Sequence, residues 1–285
     1  MTRSQRQALA HDTVAILKAR QYSLPSGEVV SITDSLESCL EATEFLLPNR
    51  LSRMKYDVWS TPPTHSQTAI EVVNETTLSG AARVVQDANG ERVTVLIFAS
   101  AKNAGGGFLN GSEAQEESLA RSSALYASLQ RAPEYYARHR ASSSALYSDA
   151  MILSPNCPVF RNDDGELLAK PYCVTFITSA APNAGAITQN QPQDVMIIPD
   201  TFRQRAEFVL ALAASVGTHT LVLGAWGCGV FRNDPAMVAE TFAELLAENG
   251  SWNHRFARVV FSVLDRSPTQ PNFTRFREAI PAVVQ

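Results

Sequence analysis

No stretch of the chain strings together the ~18 apolar residues that a bilayer-crossing helix needs, so the sequence predicts no transmembrane segment. Met1 to Arg20 mixes charged with apolar residues and has no apolar core of the signal-peptide kind. An intracellular, cytoplasmic protein is expected, nuclear as well if the host is eukaryotic. Cysteine is scarce: Cys39, Cys157, Cys173 and Cys228 are the only four in 285 residues. They lie far apart and form no C-x-x-C pair, so neither a zinc site nor a disulfide framework is expected, and free thiols are. A surplus of positive charge is missing too, the formal net charge being −4. That argues against a general nucleic-acid binder, which needs basic surface to neutralise phosphates, and no sequence-specific nucleic-acid contact is expected. A polyanionic substrate stays possible where basic residues cluster locally. There are no internal repeats and no low-complexity segments. With 45% apolar residues the chain can bury a core of normal size, as one large α/β domain or two small ones.

What is present is an alternation of strand-like and helix-like segments. Residues 4–20 read as an amphipathic helix with Leu9, Val14, Ile16 and Leu17 on its apolar side. The stretch 21–66, with Pro25, Pro48, Pro62 and Pro63, reads as irregular. Residues 1–66 are therefore expected to form an extension packed on a catalytic core spanning 67–285. In that core, strands are expected at Ala69–Val73, Val93–Ala99, Tyr172–Thr178, His219–Leu223 and Arg258–Val263, and helices at Thr77–Gln86, about 113–130, Arg203–Ala214 and about 235–248. The run VTVLIFA at 93–99 is apolar throughout, as in a central strand covered on both faces. Residues 131–171 read as an excursion with a helix-like part, Ala132–Arg140, and a hairpin turn at Asn162–Gly165. The pattern predicts an α/β sandwich, with ligands collecting at the carboxyl ends of the strands.

Two glycine-rich turns stand at such ends. The first follows Val93–Ala99 and contains Asn103 and the consecutive glycines Gly105, Gly106 and Gly107. Glycines permit positive φ and close backbone approach, and exposed N–H groups in such a loop can cradle a diphosphate. Ser112-Glu-Ala-Gln115 fits the capping-box pattern and predicts a helix start near Glu113. Glu116 and Glu117 then fall in its first turns, where acids also complement the helix dipole. Adjacent helical residues point ~100° apart. A division of labour follows, in which one carboxylate positions a ligand and the other moves a proton. A helix N-terminus lowers a carboxylate pKa, so an acid there needs burial or a bound anion to stay protonated near neutral pH.

The second turn, GAWGCGVFRNDP from Gly224 to Pro235, follows His219–Leu223. Asp234 and Pro235 suit the N-cap and first position of the next helix. The glycines again offer backbone donors to a phosphate, and Phe231 at a loop tip suits stacking on a ribose or base. Cys228 reads as a small residue in a tight loop rather than a nucleophile, because no base stands near it in the sequence.

Gly105-Gly-Gly107, then seven residues, then Gln115-Glu116-Glu117 resembles the glycine-triplet and QEE signature of poly(ADP-ribose) glycohydrolases. The string VLIFASAKNAGGGFLNGSEAQEESLARSSALY is most similar to the bacterial-type members of that family. GAWGCGVFRNDP resembles their diphosphate loop, with Phe231 matching the aromatic that orients the terminal ribose, and Thr178–Asn183 resembles a further family segment. The likeness spans roughly residues 65–275, and the N-terminal part more loosely. Ala104 and Ala180 depart from it, standing where the family commonly has Pro.

The resemblance implies a three-layer α/β/α macrodomain with a mixed central sheet. It also implies hydrolysis of the ribose–ribose O-glycosidic bonds of poly(ADP-ribose), mainly from the chain end. Glu117 would be the general acid and then the base, and Glu116 would hydrogen-bond ribose hydroxyls. Asn103 would bind the same ribose, with Gln115 part of the motif. Gly105, Gly106, Gly107, Gly227, Cys228, Gly229, Val230 and Phe231 would line the ligand, with backbone N–H groups of Gly106, Gly107 and Gly227–Val230 on the diphosphate. Poly(ADP-ribose), ADP-ribose and ADP-ribosylated proteins are the implied partners, the protein acting as a monomer. No metal or cofactor is required, since two carboxylates and an oriented water suffice for this reaction class. A non-catalytic ADP-ribose reader would share the loops but would not need Glu117. A hydrolase of another ADP-ribosyl linkage, on mono-ADP-ribosylated protein or nucleic acid, would share the whole motif. A doubly-wound nucleotide enzyme is disfavoured, because no G-x-G-x-x-G or Walker pattern follows an early strand. Glu75, Thr76 and the region near Asn183 are candidates for gripping adenine.

Overall fold

Successive residues of a strand face opposite sides, and the buried strands of this chain use both. The computed structural model describes residues 1–280; the last five residues of the expected core, 281–285, lie outside the described residues. Strands β1 (Gln21–Ser23) and β2 (Val29–Ser31) form a separate hairpin. The strands β3 (Glu44–Leu46), β4 (Ala69–Val73), β5 (Val93–Phe98), β6 (Met151–Arg161), β7 (Leu167–Ser179), β8 (Thr220–Leu223) and β9 (Arg258–Ser262) form one sheet, in the order β3-β6-β7-β5-β8-β9-β4. The run β7-β5-β8-β9-β4 is parallel, whereas β6 is antiparallel to both β3 and β7, so the sheet is mixed.

Helices cover both faces. Leu96, Leu221, Leu223, Val259 and Phe261 share one core with α3 (Pro48–Trp59), α9 (Ile198–Ser215), α10 (Pro235–Leu246) and α11 (Pro271–Ala279). Val93, Val95, Ile97, Val222 and Val260 share the opposite core with α2 (Thr33–Glu41), α4 (Thr77–Asp87), α5 (Gln115–Ser122), α6 (Leu125–Leu129) and α7 (Pro133–Ala141). A slip of one residue in any central strand would exchange its two sets of side chains between the layers, so the double-sided pattern pins the register. The remaining helices are α1 (Arg3–Ala19) and α8 (Ala184–Asn190). No helix among the described residues is long and apolar enough to cross a membrane.

The three-layer α/β arrangement agrees with the sequence reading, but three local readings need correction. The stretch 21–66 is not irregular: it holds β1, β2, α2, β3 and α3, and β3 is the edge strand of the central sheet. Residues 131–171 are not an excursion, because β6 runs into the sheet beside β7; the turn at Asn162–Gly165 does close their hairpin. The single helix expected at about 113–130 is broken. Ser123 is extended, bridges to Val159, and uses its hydroxyl on Leu119 O, which separates α5 from α6.

The site sits where the sheet splits. β5 pairs with β8 only over Val93–Val95, although it pairs with β7 as far as Phe98. Ala99 N–H bonds Ser179 O on the β7 side, so Phe98 N–H and Leu96 C=O face the edge that β8 has left. A crevice between diverging parallel strands at their carboxyl ends is where open α/β sheets bind ligands.

Candidate active site

The bare edge of β5 is satisfied by a side chain. The Gln115 Oε1 accepts from Phe98 N–H at 2.9 Å, and its Nε2 donates to Leu96 O at 2.7 Å. The primary amide thus stands in for the next strand. This overturns the capping-box reading, in which Gln115 turned back to Ser112. The helix α5 begins at Gln115, two residues later than expected, and its N-cap Ala114 makes no side-chain cap bond. Docking Gln115 on β5 sets the rotation of α5, and with it the directions of the two residues that follow.

Glu116 points inward and is 2% exposed. Its Oε2 accepts from Ser100 N–H at 2.6 Å and its Oε1 from Gly105 N–H at 3.1 Å. Burial drives the Glu116 carboxyl well above the ordinary carboxylate range, the two backbone donors opposing and the neighbouring Glu117 charge adding to the shift. Glu117 is half-buried at the cavity wall, and its Oε1 accepts from Gly107 N–H at 3.0 Å. The glycine of the triplet between those two donors has no room for a side chain unless the Glu117 carboxylate moves. Gly106 has φ +59°, and a Cβ on it would stand 2.4 Å from Glu117 Oε1 and 3.3 Å from Glu116 Oε2.

These bonds change the role expected of the first loop. The amides of Gly105 and Gly107 hold the two carboxylates, and that of Gly106 donates to Asn103 O at 3.0 Å. The N–H groups expected to face a diphosphate are thus used within the loop. Gly106 and Gly107 border the cavity, whereas Gly105 is buried behind it. The Asn103 side chain is exposed on the cavity rim.

The second loop is built the other way round. Trp226 is fully buried and donates Nε1–H to Ser179 O at 3.0 Å, and Asn233, also buried, donates Nδ2 to Pro182 O at 2.8 Å and Gly227 O at 3.1 Å. These anchors fix the ends of the loop. Gly227, φ +76°, could not carry a Cβ, which would meet Asn233 Nδ2 at 2.4 Å and Ala181 Cβ at 2.6 Å. Among the described residues, the amides of Gly227, Gly229, Val230 and Phe231 donate to no protein acceptor, whereas the Cys228 N–H expected on the diphosphate donates to Ala225 O at 3.1 Å; all five residues line the cavity. Asp234 caps α10 through Ala236 N–H and Pro235 takes its first position, as the sequence predicts. Phe231 packs against Tyr147, ring centroids 5.8 Å apart. Burial pushes the Cys228 thiol up to about 12, with the nearby Asp234 charge adding to it, in keeping with an inert residue in a tight loop.

Between the two loops lies a cavity of about 880 Å³. Some of its wall was not foreseen. Arg121, 4% exposed, stands one turn after Glu117, and burial lowers its guanidinium pKa while the Glu117 charge opposes this. The hairpin turn contributes Asp163, which accepts from Thr76 Oγ1 at 2.6 Å and Ser79 Oγ at 2.9 Å. Residues after β9, Leu264, Arg266 and Asn272, complete the far side. Of the residues considered for adenine, Thr76 borders the cavity. Glu75 is engaged by Arg83 and Ser262, and Asn183 caps α8. The signal for Arg121 was available in the sequence, as a cation four residues after Glu117 on a helix; the other walls come from distant parts of the chain. At the departure Ala180, the backbone N–H donates to Tyr135 Oη at 3.1 Å, a bond that proline could not make.

With this geometry in place, the likeness to other proteins is specific. The family model of the microbial-type PARG catalytic domain matches residues 10–162. The crystal structure of poly(ADP-ribose) glycohydrolase from Thermomonospora curvata superposes with a TM-score of 0.92 at 47% identity, covering 97% of this chain and 100% of that one. The same enzyme bound to the inhibitor ADP-HPD gives 0.89 at 48% identity, over 96% and 99% of the two chains. Poly(ADP-ribose) glycohydrolase from Deinococcus radiodurans in complex with ADP-ribose gives 0.81 at 45% identity, over 86% and 96%. Curated proteins show no match to the chain.

Proposed function

The chain belongs to the microbial-type poly(ADP-ribose) glycohydrolases, and from that premise we propose how its two loops divide the reaction. The protein is a glycosidase that hydrolyses poly(ADP-ribose) to release ADP-ribose. Glu117 transfers the proton. Its Oε1 is held by Gly107 N–H, which leaves Oε2 to protonate the leaving ribose oxygen as an oxocarbenium-like centre develops on the other sugar. The resulting carboxylate then takes a proton from water as that water attacks.

Glu116, held from behind by Ser100 and Gly105, presents its remaining lone pairs to ribose hydroxyls. Asn103 binds the same ribose from the rim. The diphosphate lies on the unengaged amides of the second loop, Gly227 and Gly229–Phe231, where fixed backbone dipoles stabilise an anion at no cost of reorganisation. Phe231, backed by Tyr147, stacks on the terminal ribose. Proteins that carry the polymer reach the site through it.

The observation that carries this reading is the divergence of two adjacent acids, one buried on backbone donors and one at the cavity wall. Turnover of poly(ADP-ribose) by Glu117→Gln tests it. A loss of kcat of about a hundred- to ten-thousand-fold is expected, the range typical of removing a general acid–base group. Turnover near that of wild type would refute the assignment of Glu117.

A further inference from the structure

The first turn of α1 is built against the segment that carries Glu117. Arg6, whose side chain is 13% exposed, donates Nε to Gly111 O at 2.9 Å and Nη1 to Met1 O at 2.8 Å, and its Nη1 lies 2.7 Å from Glu113 Oε2. Arg3 donates Nε to Asn110 O at 3.0 Å. Gly111, φ +71°, passes so close to α1 that a Cβ there would stand 2.3 Å from Arg3 O. Further along α1, Thr13 Oγ1 donates to Arg121 O at 2.5 Å, and Ala10 packs with Phe108 and Ala120. Arg121 in turn donates Nη1 to Ser112 O at 2.7 Å. Three consecutive carbonyls, those of Asn110, Gly111 and Ser112, are therefore each held by a guanidinium.

The held segment is the one that decides where Glu117 stands. The bond from Gly107 N–H to Glu117 Oε1 closes a loop over the residues between them. The start of α5 inside that loop has no side-chain cap, because Ala114 is the N-cap and Gln115 is engaged on β5. The path of residues 108–114 is thus held by its own turn bonds, Gly111 N–H to Phe108 O and Ser112 N–H to Gly107 O among them, and from outside by α1 and by Arg121.

We propose that Arg6 is a positioning residue for the hydrolysis: it holds the Gly107–Glu117 loop in the geometry that aims Glu117 at the scissile bond, without touching substrate. The exposed partner Glu113 contributes little, as surface ion pairs do; the bonds to backbone carbonyls are what fix the loop. This inference rests on the assignment of Glu117 above.

The test compares wild type, Arg6→Ala, Arg6→Lys and Glu117→Gln in the full chain, by polymer turnover, ADP-ribose calorimetry and hydrogen exchange over residues 107–117. Arg6→Ala is expected to lose on the order of 10- to 100-fold in kcat, as misplacement of a catalytic group by about an ångström does. Its Kd for ADP-ribose should stay within about threefold, because the unengaged amides on the other loop are untouched. Exchange over 107–117 should quicken, and Arg6→Lys, reaching fewer of the acceptors, should recover part of kcat at unchanged affinity. A wild-type kcat in Arg6→Ala overturns the proposal, and so does a fall in kcat matched by an equal fall in ADP-ribose affinity, which would mark general unfolding. If Arg6→Ala does not fold, Arg6→Lys decides: reduced kcat at wild-type affinity supports the role, and wild-type kcat refutes it. Turnover retained by Glu117→Gln would refute the assignment beneath; an inactive Glu117→Gln beside a fully active Arg6→Ala would refute the role of Arg6 alone.

Discussion

The two glycine-rich loops look alike in sequence and do opposite things with their backbone. In the first, the N–H groups of Gly105, Gly106 and Gly107 turn inward to Glu116, to Asn103 O and to Glu117. In the second, the amides of Gly227 and Gly229–Phe231 meet no protein acceptor and border the cavity. A cluster of glycines at the end of a strand therefore has two uses. It can bring backbone donors to a ligand, or it can bring them to the protein's own carboxylates and so build a proton-transfer site. Which use applies depends on where the following acids turn: Glu116 and Glu117 in the first turn of α5 reach back to the loop, whereas Asp234 after the second loop caps α10 through Ala236 N–H.

Single added methyl groups should separate the two. Gly106→Ala places a Cβ 2.4 Å from Glu117 Oε1 at a positive φ. It is expected to lower kcat by about 100-fold or more, with ADP-ribose affinity changed much less. Gly227→Ala displaces Asn233 and Ala181 instead. It is expected to weaken ADP-ribose binding at least about tenfold, the loss of roughly one hydrogen-bond equivalent to a charged group, as read by calorimetry. If both variants lost affinity and turnover in the same proportion, the loops would not be divided in function.

A smaller effect is expected at Glu116. Gln there turns an NH2 group toward either Ser100 N–H or Gly105 N–H, leaving a buried donor unpaired at a cost of about 1–3 kcal/mol, visible as a lower Tm. The pH dependence gives a second reading. Burial raises the Glu116 carboxyl in the folded protein, so the folded state keeps a proton that the unfolded chain releases in the ordinary carboxylate range. Its contribution to stability is complete below that range and declines as pH rises toward the folded-state value. Glu116→Gln should remove that part of the slope of Tm against pH, and an unchanged slope would mean that Glu116 is ionised in the folded protein.

The smallest effect is expected at the tip of the second loop. A Cβ on Gly229 would meet nothing within 4 Å, and this glycine has no positive φ. Gly229→Ala should leave stability within the about 0.5 kcal/mol usual for substitutions away from packed contacts, read as an unchanged Tm.

Much of this was legible in the sequence, and the failures share a cause. The apolar runs of β5, β8 and β9 read correctly because burial on both faces leaves continuous hydrophobic stretches. The QEE motif and its glycines do come together, but the glycine N–H groups expected on a diphosphate are engaged by Glu116, Glu117 and Asn103 O instead. The start of α5 did not read correctly, because Ser112 and Gln115 satisfy a local capping pattern while Gln115 bonds residues 17 and 19 positions away. The break between α5 and α6 comes from Ser123 bridging to Val159, and β3 is three residues that count as a strand only beside β6. Arg6 shows the same limit: its acceptor Gly111 O lies 105 residues downstream. Local pattern carried the elements and the paired acids; long-range hydrogen bonds set how those acids are held.

The proposed division places the diphosphate on one loop and proton transfer on the other, and titration of ADP-ribose into Glu117→Gln and Gly227→Ala, side by side with wild type, separates the two. Glu117→Gln, inactive on polymer, is expected to bind ADP-ribose within about threefold of wild type, while Gly227→Ala binds it far more weakly. Binding lost in Glu117→Gln and kept in Gly227→Ala would contradict the division.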